Sequence, residues 1–111
     1  MGLFGTKKPK HDQLEEHLGR TGEVVLVRSA DWVLSGEIVV TDQRSLFVDK
    51  GRIAQDVAHQ DVVETEIRRV SKFFMVLINA PGQQLQVHVR TGDVARDICR
   101  EIDMRMGPVR H

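Results

Sequence analysis

Residues 73–90 read FFMVLINAPGQQLQVHVR and carry the clearest structural signals in the chain. The first six residues are all apolar, which is typical of a strand that is central in its sheet or covered on both faces. Residues 79–83 contain Pro and Gly, which favour a tight turn. After the turn, Leu85, Val87 and Val89 alternate with polar residues, so this strand has one dry and one wet face. The stretch therefore predicts an antiparallel hairpin.

The apolar pattern changes from a period of two to a period of four after residue 90. The residues of the new stripe are Val94, Ile98, Ile102 and Met106, widened by Ala95 and Cys99. Charged residues take the opposite face, so we predict an amphipathic helix. Thr91 or Asp93 caps its start, and Gly107 with the following proline ends it.

Five more segments before residue 73 have strand-like patterns: residues 23–28, 37–41, 45–48, 53–58 and 62–70. A hairpin turn at residues 49–52 has Gly51 where a positive φ is needed. Residues 11–18 form a short helix with Leu14 and Leu18 on one face, and Gly19 or Gly22 ends it. The sequence thus predicts a short helix, about seven strands and a closing helix.

Consecutive strands joined by tight turns form an antiparallel meander, because parallel pairs need long crossovers. A sheet of seven strands twists and curls. We therefore predict a mainly β fold, a barrel closed by the C-terminal amphipathic helix. The domain covers residues 11–106, residues 1–10 form a flexible basic leader, and residues 107–111 form a tail.

The composition excludes several classes of protein. The 111 residues include 16 Lys and Arg against 16 Asp and Glu, which gives a net charge of zero and removes the general electrostatic argument for nucleic-acid binding. With 41% hydrophobic residues, the chain suits one core. A single cysteine, Cys99, excludes an internal disulfide and fits the reducing cytoplasm.

Residues 36–47, GEIVVTDQRSLF, resemble the bacterial pleckstrin-homology-like domains, which carry a similar run of Gly, a β-branched strand, Thr-Asp, a spacer, Arg and a Leu-Phe strand. A looser resemblance extends over residues 20–106. It implies a seven-stranded barrel with a C-terminal helix, and a binding or assembly module of bacterial origin. It also implies a structural role for the turn and strand residues of the motif, Gly36, Thr41, Asp42, Arg44, Leu46 and Phe47.

No catalytic or metal chemistry is indicated. The five histidines are dispersed, and no Ser or Cys with a His and an acid can be assembled from the pattern. Cys99 lies on the apolar stripe of the last helix, so we interpret it as a packing residue. The sequence therefore predicts no enzyme, no cofactor and no metal site.

Three residues of the domain are candidate partner contacts: Trp32, Arg68 and Lys72. Trp32 lies in the connection after the first strand, where it is either a core residue or a contact anchor. Arg68 and Lys72 belong to a basic cluster, although a solvated strand end that faces Glu64 and Glu66 is the favoured explanation, because strand faces of mixed charge are ordinary.

The leader offers a different kind of contact. Its candidate membrane residues are Leu3, Phe4, Lys7, Lys8 and Lys10. Each lysine near an anionic surface contributes about 1 kcal/mol, so the expected binding is weak and salt-sensitive. Gly2 and Thr6 also match the N-myristoylation pattern, which short sequences often meet by chance.

The residues leave three hypotheses open. The first is a non-enzymatic module that binds a protein partner, including other copies of itself, through exposed strand edges. The second is a peripheral membrane module, and the third a small modulator of another protein, such as a phage-encoded one. We expect no phosphoinositide specificity, because residues 29–35 contain no cation and Arg28 at their entrance is opposed by Asp31.

Overall fold

The structure is a computed structural model and describes residues 12–107. Its helices are α1 (Gln13–Thr21) and α2 (Gly92–Asp103). Its strands are β1 (Val25–Ala30), β2 (Glu37–Thr41), β3 (Arg44–Asp49), β4 (Arg52–Ala58), β5 (Glu64–Val70), β6 (Phe73–Ala80) and β7 (Gln83–Val89). A turn of 3₁₀ helix, His59–Asp61, connects β4 to β5.

The seven strands form two antiparallel sheets rather than one closed barrel. The first sheet has the order β1-β2-β3-β4 and the second β5-β6-β7. The predictions of a mainly β fold, an antiparallel meander and two flanking helices are confirmed. β6 is the central strand of its sheet, which explains why its sequence is apolar throughout.

Helix α2 covers the core between the two sheets. Its inward residues are buried: Ala95, Ile98, Cys99 and Ile102. They pack with side chains of both sheets, such as Ile38 and Val76. The Thr91 side chain caps the helix by accepting a hydrogen bond from the Val94 N–H. The amphipathic prediction for this helix, including the buried position of Cys99, is confirmed.

The predicted end of α2 is wrong. The helix ends at Asp103, before Met106, which packs against the core from outside the helix. One physical reason is that the Arg105 guanidinium bonds to the Glu101 carbonyl at 2.9 Å and so caps the last turn. Gly107 has another role, since a Cβ there would lie 2.5 Å from a backbone oxygen of the 3₁₀ turn.

Helix α1 begins two residues later than predicted and continues to Thr21, so Gly22 rather than Gly19 ends it. Asp12 caps it by accepting a bond from the Glu15 N–H, and Gly22 ends it with a φ of 74°. Leu14 and Leu18 pack on the outer face of the first sheet, in a second cluster completed by residues of β2, β3 and β4. Neither helix has the length and apolar run needed to cross a bilayer, in the part of the chain from 12 to 107.

Candidate contact surface

The connection between β1 and β2 presents three adjacent apolar side chains to solvent. Trp32, Val33 and Leu34 are 51%, 53% and 58% exposed, and we call these three residues the tip loop. Of the two alternatives for Trp32, the core position is excluded by this exposure. Single exposed apolar residues are ordinary, but three in succession, one of them the only tryptophan, form a candidate contact surface.

A buried carboxylate fixes the shape of the tip loop. One oxygen of Asp31 accepts bonds from the Val33 and Leu34 N–H groups at 2.8 and 2.6 Å. Its other oxygen accepts from the His88 N–H at 3.0 Å and lies 3.2 Å from the His88 Nδ1. The Trp32 N–H in turn donates to the His88 carbonyl at 2.9 Å. The loop is thereby tied to β7 of the other sheet.

The charge of Asp31 follows from these donors. Burial, the largest influence, raises the pKa of this carboxyl group, but the backbone N–H donors of Leu34, Val33 and His88 together outweigh it. The pKa of Asp31 is therefore lowered below its ordinary range, and the carboxylate stays ionised at neutral pH. A charge that is satisfied by fixed N–H groups makes the tip loop a preorganised element.

The Trp32 ring contacts a cation that directly follows β7, the guanidinium of Arg90. The guanidinium carbon of Arg90 lies 5.0 Å from the centre of the Trp32 ring. The expected opposition of Arg28 and Asp31 is wrong, because Arg28 Nε pairs with Glu37 Oε1 at 2.7 Å. The sequence held no signal for Arg90, since nothing local places the end of β7 beside the end of β1.

Several turns meet at the end of the molecule that carries the tip loop. The strand register puts the β3–β4 turn with Lys50 at this end, next to the start of α1, where the Gln13 N–H donates to the Gly51 carbonyl. Phe74 of β6 faces Val89 of β7, so the β5–β6 turn with Lys72 is also at this end.

The chain joins the same end at its first described residue, Asp12. Residues 1–11 are attached there, beside the β3–β4 turn. The predicted membrane contacts Leu3, Phe4, Lys7, Lys8 and Lys10 lie outside the described residues. The structure therefore fixes where the leader is attached.

The other candidate contacts are not one patch. Arg68 lies on exposed β5 and pairs with Glu66 of the same strand, Nε to Oε2, at 2.7 Å. Lys72 is exposed in the β5–β6 turn. Lys72 thus shares an end of the molecule with Trp32, whereas Arg68 lies on the outer face of an edge strand.

The motif at residues 36–47 builds the first sheet. The Thr41 hydroxyl accepts bonds from the Gln43 and Arg44 N–H groups and so shapes the β2–β3 turn. Asp42 accepts a bond from the Val24 N–H at 2.9 Å. Leu46 is fully buried and Phe47 packs beside the core. Gly36 has a φ of 83° and lies against β3, where a Cβ would meet a backbone oxygen at 2.9 Å.

A second buried carboxylate, that of Glu23, lies beside this motif. No motif in the sequence had indicated it. Glu23 accepts a bond from the Thr41 hydroxyl at 2.7 Å and pairs with Arg44 Nε at 3.0 Å. His17 Nε2 of α1 lies 3.1 Å from the same carboxylate. Burial raises the pKa of Glu23, but these partners outweigh it and lower the pKa overall. The cluster joins α1, β1 and the β2–β3 turn.

Burial also shifts the pKa values of two other side chains, His59 and Cys99. Burial lowers the pKa of His59, whose Nε2 lies 2.8 Å from the Thr41 carbonyl oxygen, and burial raises the pKa of the Cys99 thiol. Between residues 12 and 107, no group of three or more His, Cys, Asp or Glu side chains is placed to hold a metal ion.

Comparison of this chain with protein-family models, with curated proteins and with solved structures finds no match.

Proposed function

We propose that this protein is a non-enzymatic interaction module that binds a protein partner through the tip loop. The observation that carries the proposal is the presentation of Trp32, Val33 and Leu34 by the buried, ionised Asp31. A loop that is already ordered loses little entropy on binding, and an exposed Trp is the side chain most often found at the centre of an interface.

The proposal includes a pleckstrin-homology-like fold of bacterial, cytoplasmic type. Its support is the resemblance at residues 36–47, together with the order of seven strands followed by a helix over the core. The link between Asp31 and His88 brings β1 and β7 together, as a barrel-like arrangement of the two sheets requires. A modulator of another protein would use the same surface, and the identity of its partner would separate the two roles.

Affinity capture with matched variants tests the tip loop. The immobilised protein is incubated with an extract of the cells from which it comes, and the bound proteins are identified by mass spectrometry. We expect the double variant Trp32→Ser, Leu34→Ser to lose a specific partner that Val24→Ser retains. Val24 is a fair control because it is 57% exposed and lies outside the tip loop.

The result depends on folded protein, so both variants are first compared by thermal melting. All three substituted residues are more than half exposed, and we expect each melt to stay close to the wild type. If the folded double variant captures the same partners with the same yield as the control, the tip loop is not the binding surface and the proposal fails.

A second candidate function is contact with an anionic membrane. The observation that favours it is the shared end of the molecule, where the attachment point of the basic leader, the tip loop and the exposed Lys50 and Lys72 lie together. Apolar side chains flanked by cations are typical of peripheral membrane contacts. Among the described residues, Arg90 stacks its guanidinium on the Trp32 ring, and residues 29–35 contain no cation, so we expect no preference for phosphoinositide headgroups.

Vesicle co-sedimentation separates this candidate from the first. Binding to anionic vesicles should exceed binding to neutral ones, fall with salt, and shift the emission of the single tryptophan to the blue. Removal of residues 1–10 should abolish it. A preference for a phosphoinositide over another lipid at equal surface charge would contradict our expectation, and unchanged binding by the truncated chain would exclude the leader.

A further inference from the structure

We propose that β5 pairs with β5 of a second copy of this chain, in antiparallel orientation about a two-fold axis at Ile67. The two three-stranded sheets would then form one sheet of six strands. This inference goes beyond the tip loop, which lies on a different part of the molecule and is not needed for the pairing.

The first argument is the open edge of the second sheet. β5 is the outermost strand and pairs only with β6. Within residues 12–107, no other strand donates a backbone hydrogen bond to it or accepts one from it. An unpaired strand edge is a template for another strand. In contrast, side-chain hydrogen bonds link β4 to β7: the Gln55 amide donates to the Gln84 carbonyl at 3.1 Å, and the Gln83 amide donates to the Asp56 carbonyl at 3.5 Å.

The second argument is the charge sequence of β5, ETEIRRV, which is acidic in its first half and basic in its second. An antiparallel pairing about Ile67 puts Glu66 of each copy opposite Arg68 of the other. Residues that are directly opposite point to the same face, so the two pairs meet on the outer face of the sheet. A parallel, in-register pairing would instead oppose like charges. The strand is therefore complementary to itself in the antiparallel orientation.

The third argument is the apolar groove beside β5. The groove lies between β5 and α2, has a volume of about 500 Å³ and is lined by Ile67, Arg96, Cys99, Arg100, Asp103 and Met104. The Thr65 hydroxyl bonds to Asp103 of α2 at 2.8 Å, so the face of β5 that carries Thr65 and Ile67 is the face toward this groove. In the proposed dimer the two Ile67 side chains meet there and cover each other, and exposed Met104 lies nearby.

Charged residues on an edge strand also protect proteins from edge-to-edge aggregation. That role is served best by charges of one sign, which repel in every pairing. Two acidic and two basic residues in separate halves repel in the parallel orientation and attract in the antiparallel one. The order of the charges, rather than their number, therefore favours a specific second copy over simple protection.

The test uses charge reversal in the full chain. Glu66→Arg makes both outer-face positions that flank Ile67 basic, and Arg68→Glu makes both of them acidic. Each variant alone places like charges opposite each other twice in the dimer, so we expect its dissociation constant to rise about tenfold or more. An equimolar mixture of the two variants places the basic strand opposite the acidic one, so a dimer should re-form. Sedimentation velocity over the micromolar range at low salt measures all three samples.

Controls separate this proposal from a folding defect and from the tip loop. Both substituted side chains are exposed, so thermal melts should remain close to the wild type. Trp32→Ser should leave the dimer intact, which keeps this proposal independent of the protein-binding function. The proposal is overturned if the wild-type chain sediments as a monomer throughout, if single variants dimerise as the wild type does, or if the mixture of folded variants stays monomeric.

Discussion

Replacement of Asp31 by Asn tests whether one buried carboxylate holds the tip loop. The substitution preserves the size of the side chain but removes its charge. One of the two acceptor oxygens becomes an amide that faces N–H donors. Asp31 is 5% exposed and accepts bonds from the backbone N–H groups of Val33, Leu34 and His88.

The expected cost follows from the environment of each donor. A hydrogen bond to a charged group contributes about 1.5–3 kcal/mol. Val33 and Leu34 are exposed residues, so water can satisfy their N–H groups after the loop relaxes. The His88 N–H is partly buried, so losing its hydrogen bond to Asp31 should cost more than losing the bonds from Val33 and Leu34. We expect Asp31→Asn to lower the free energy of unfolding by about 2–4 kcal/mol at pH 7, a large share of a small domain's stability.

The pH dependence of stability gives a second, independent test of the role of Asp31. The pKa of Asp31 in the folded chain is lowered from its ordinary value of 3.8, so the unfolded chain binds the proton more readily. The contribution of Asp31 is therefore fully present above its unfolded pKa and is lost as the pH falls through the folded pKa. The wild type and Asp31→Asn should differ most at neutral pH and converge below pH 3.8.

Urea unfolding followed by the fluorescence of Trp32 measures both effects. The tryptophan lies next to Asp31 and is the only one in the chain, so its emission reports directly on the tip loop. Asp49→Asn is the matched control, because Asp49 is exposed at the same end of the first sheet. The reasoning is refuted if Asp31→Asn unfolds at the wild-type urea concentration at pH 7, or if its deficit stays constant into acid.

Five further substitutions test the fold in denaturant titrations. Gly36→Ala should lower the free energy of unfolding by about 2 kcal/mol or more, because the positive φ and a backbone oxygen 2.9 Å from the new Cβ both oppose it. Gly19→Ala is the control: its Cβ would meet nothing within 4 Å, so it should raise the free energy of unfolding by about 0.5–1 kcal/mol. Ile98→Asp should unfold the domain because it buries an unpaired charge, and Arg100→Ala on the exposed face should cost little; the reverse order would mean that the faces of α2 are misassigned. Glu23→Gln should cost about 1.5–3 kcal/mol, because it removes the charge of a buried carboxylate that pairs with the half-buried Arg44. A cost below about 0.5 kcal/mol would show that the cluster is not structural.

Local periodicity determined much of the fold. The alternation at Leu85, Val87 and Val89 defined β7, and the four-residue stripe through Ile98 defined the buried face of α2. Such patterns are readable because the face that a side chain occupies is set by its neighbours in sequence. The end of α2 was missed because it depends on a hydrogen bond from the Arg105 side chain to the Glu101 carbonyl, which the apolar periodicity does not indicate.

The candidate surface was readable only in part. The sequence singled out Trp32, but its exposure, its fixed position on Asp31 and its contact with Arg90 depend on His88 and β7, more than 50 residues away. The division into two sheets, the buried position of Glu23 and the open edge of β5 have the same origin. They depend on which strands become neighbours in space, and that is decided by the packing of the whole core rather than by any local pattern.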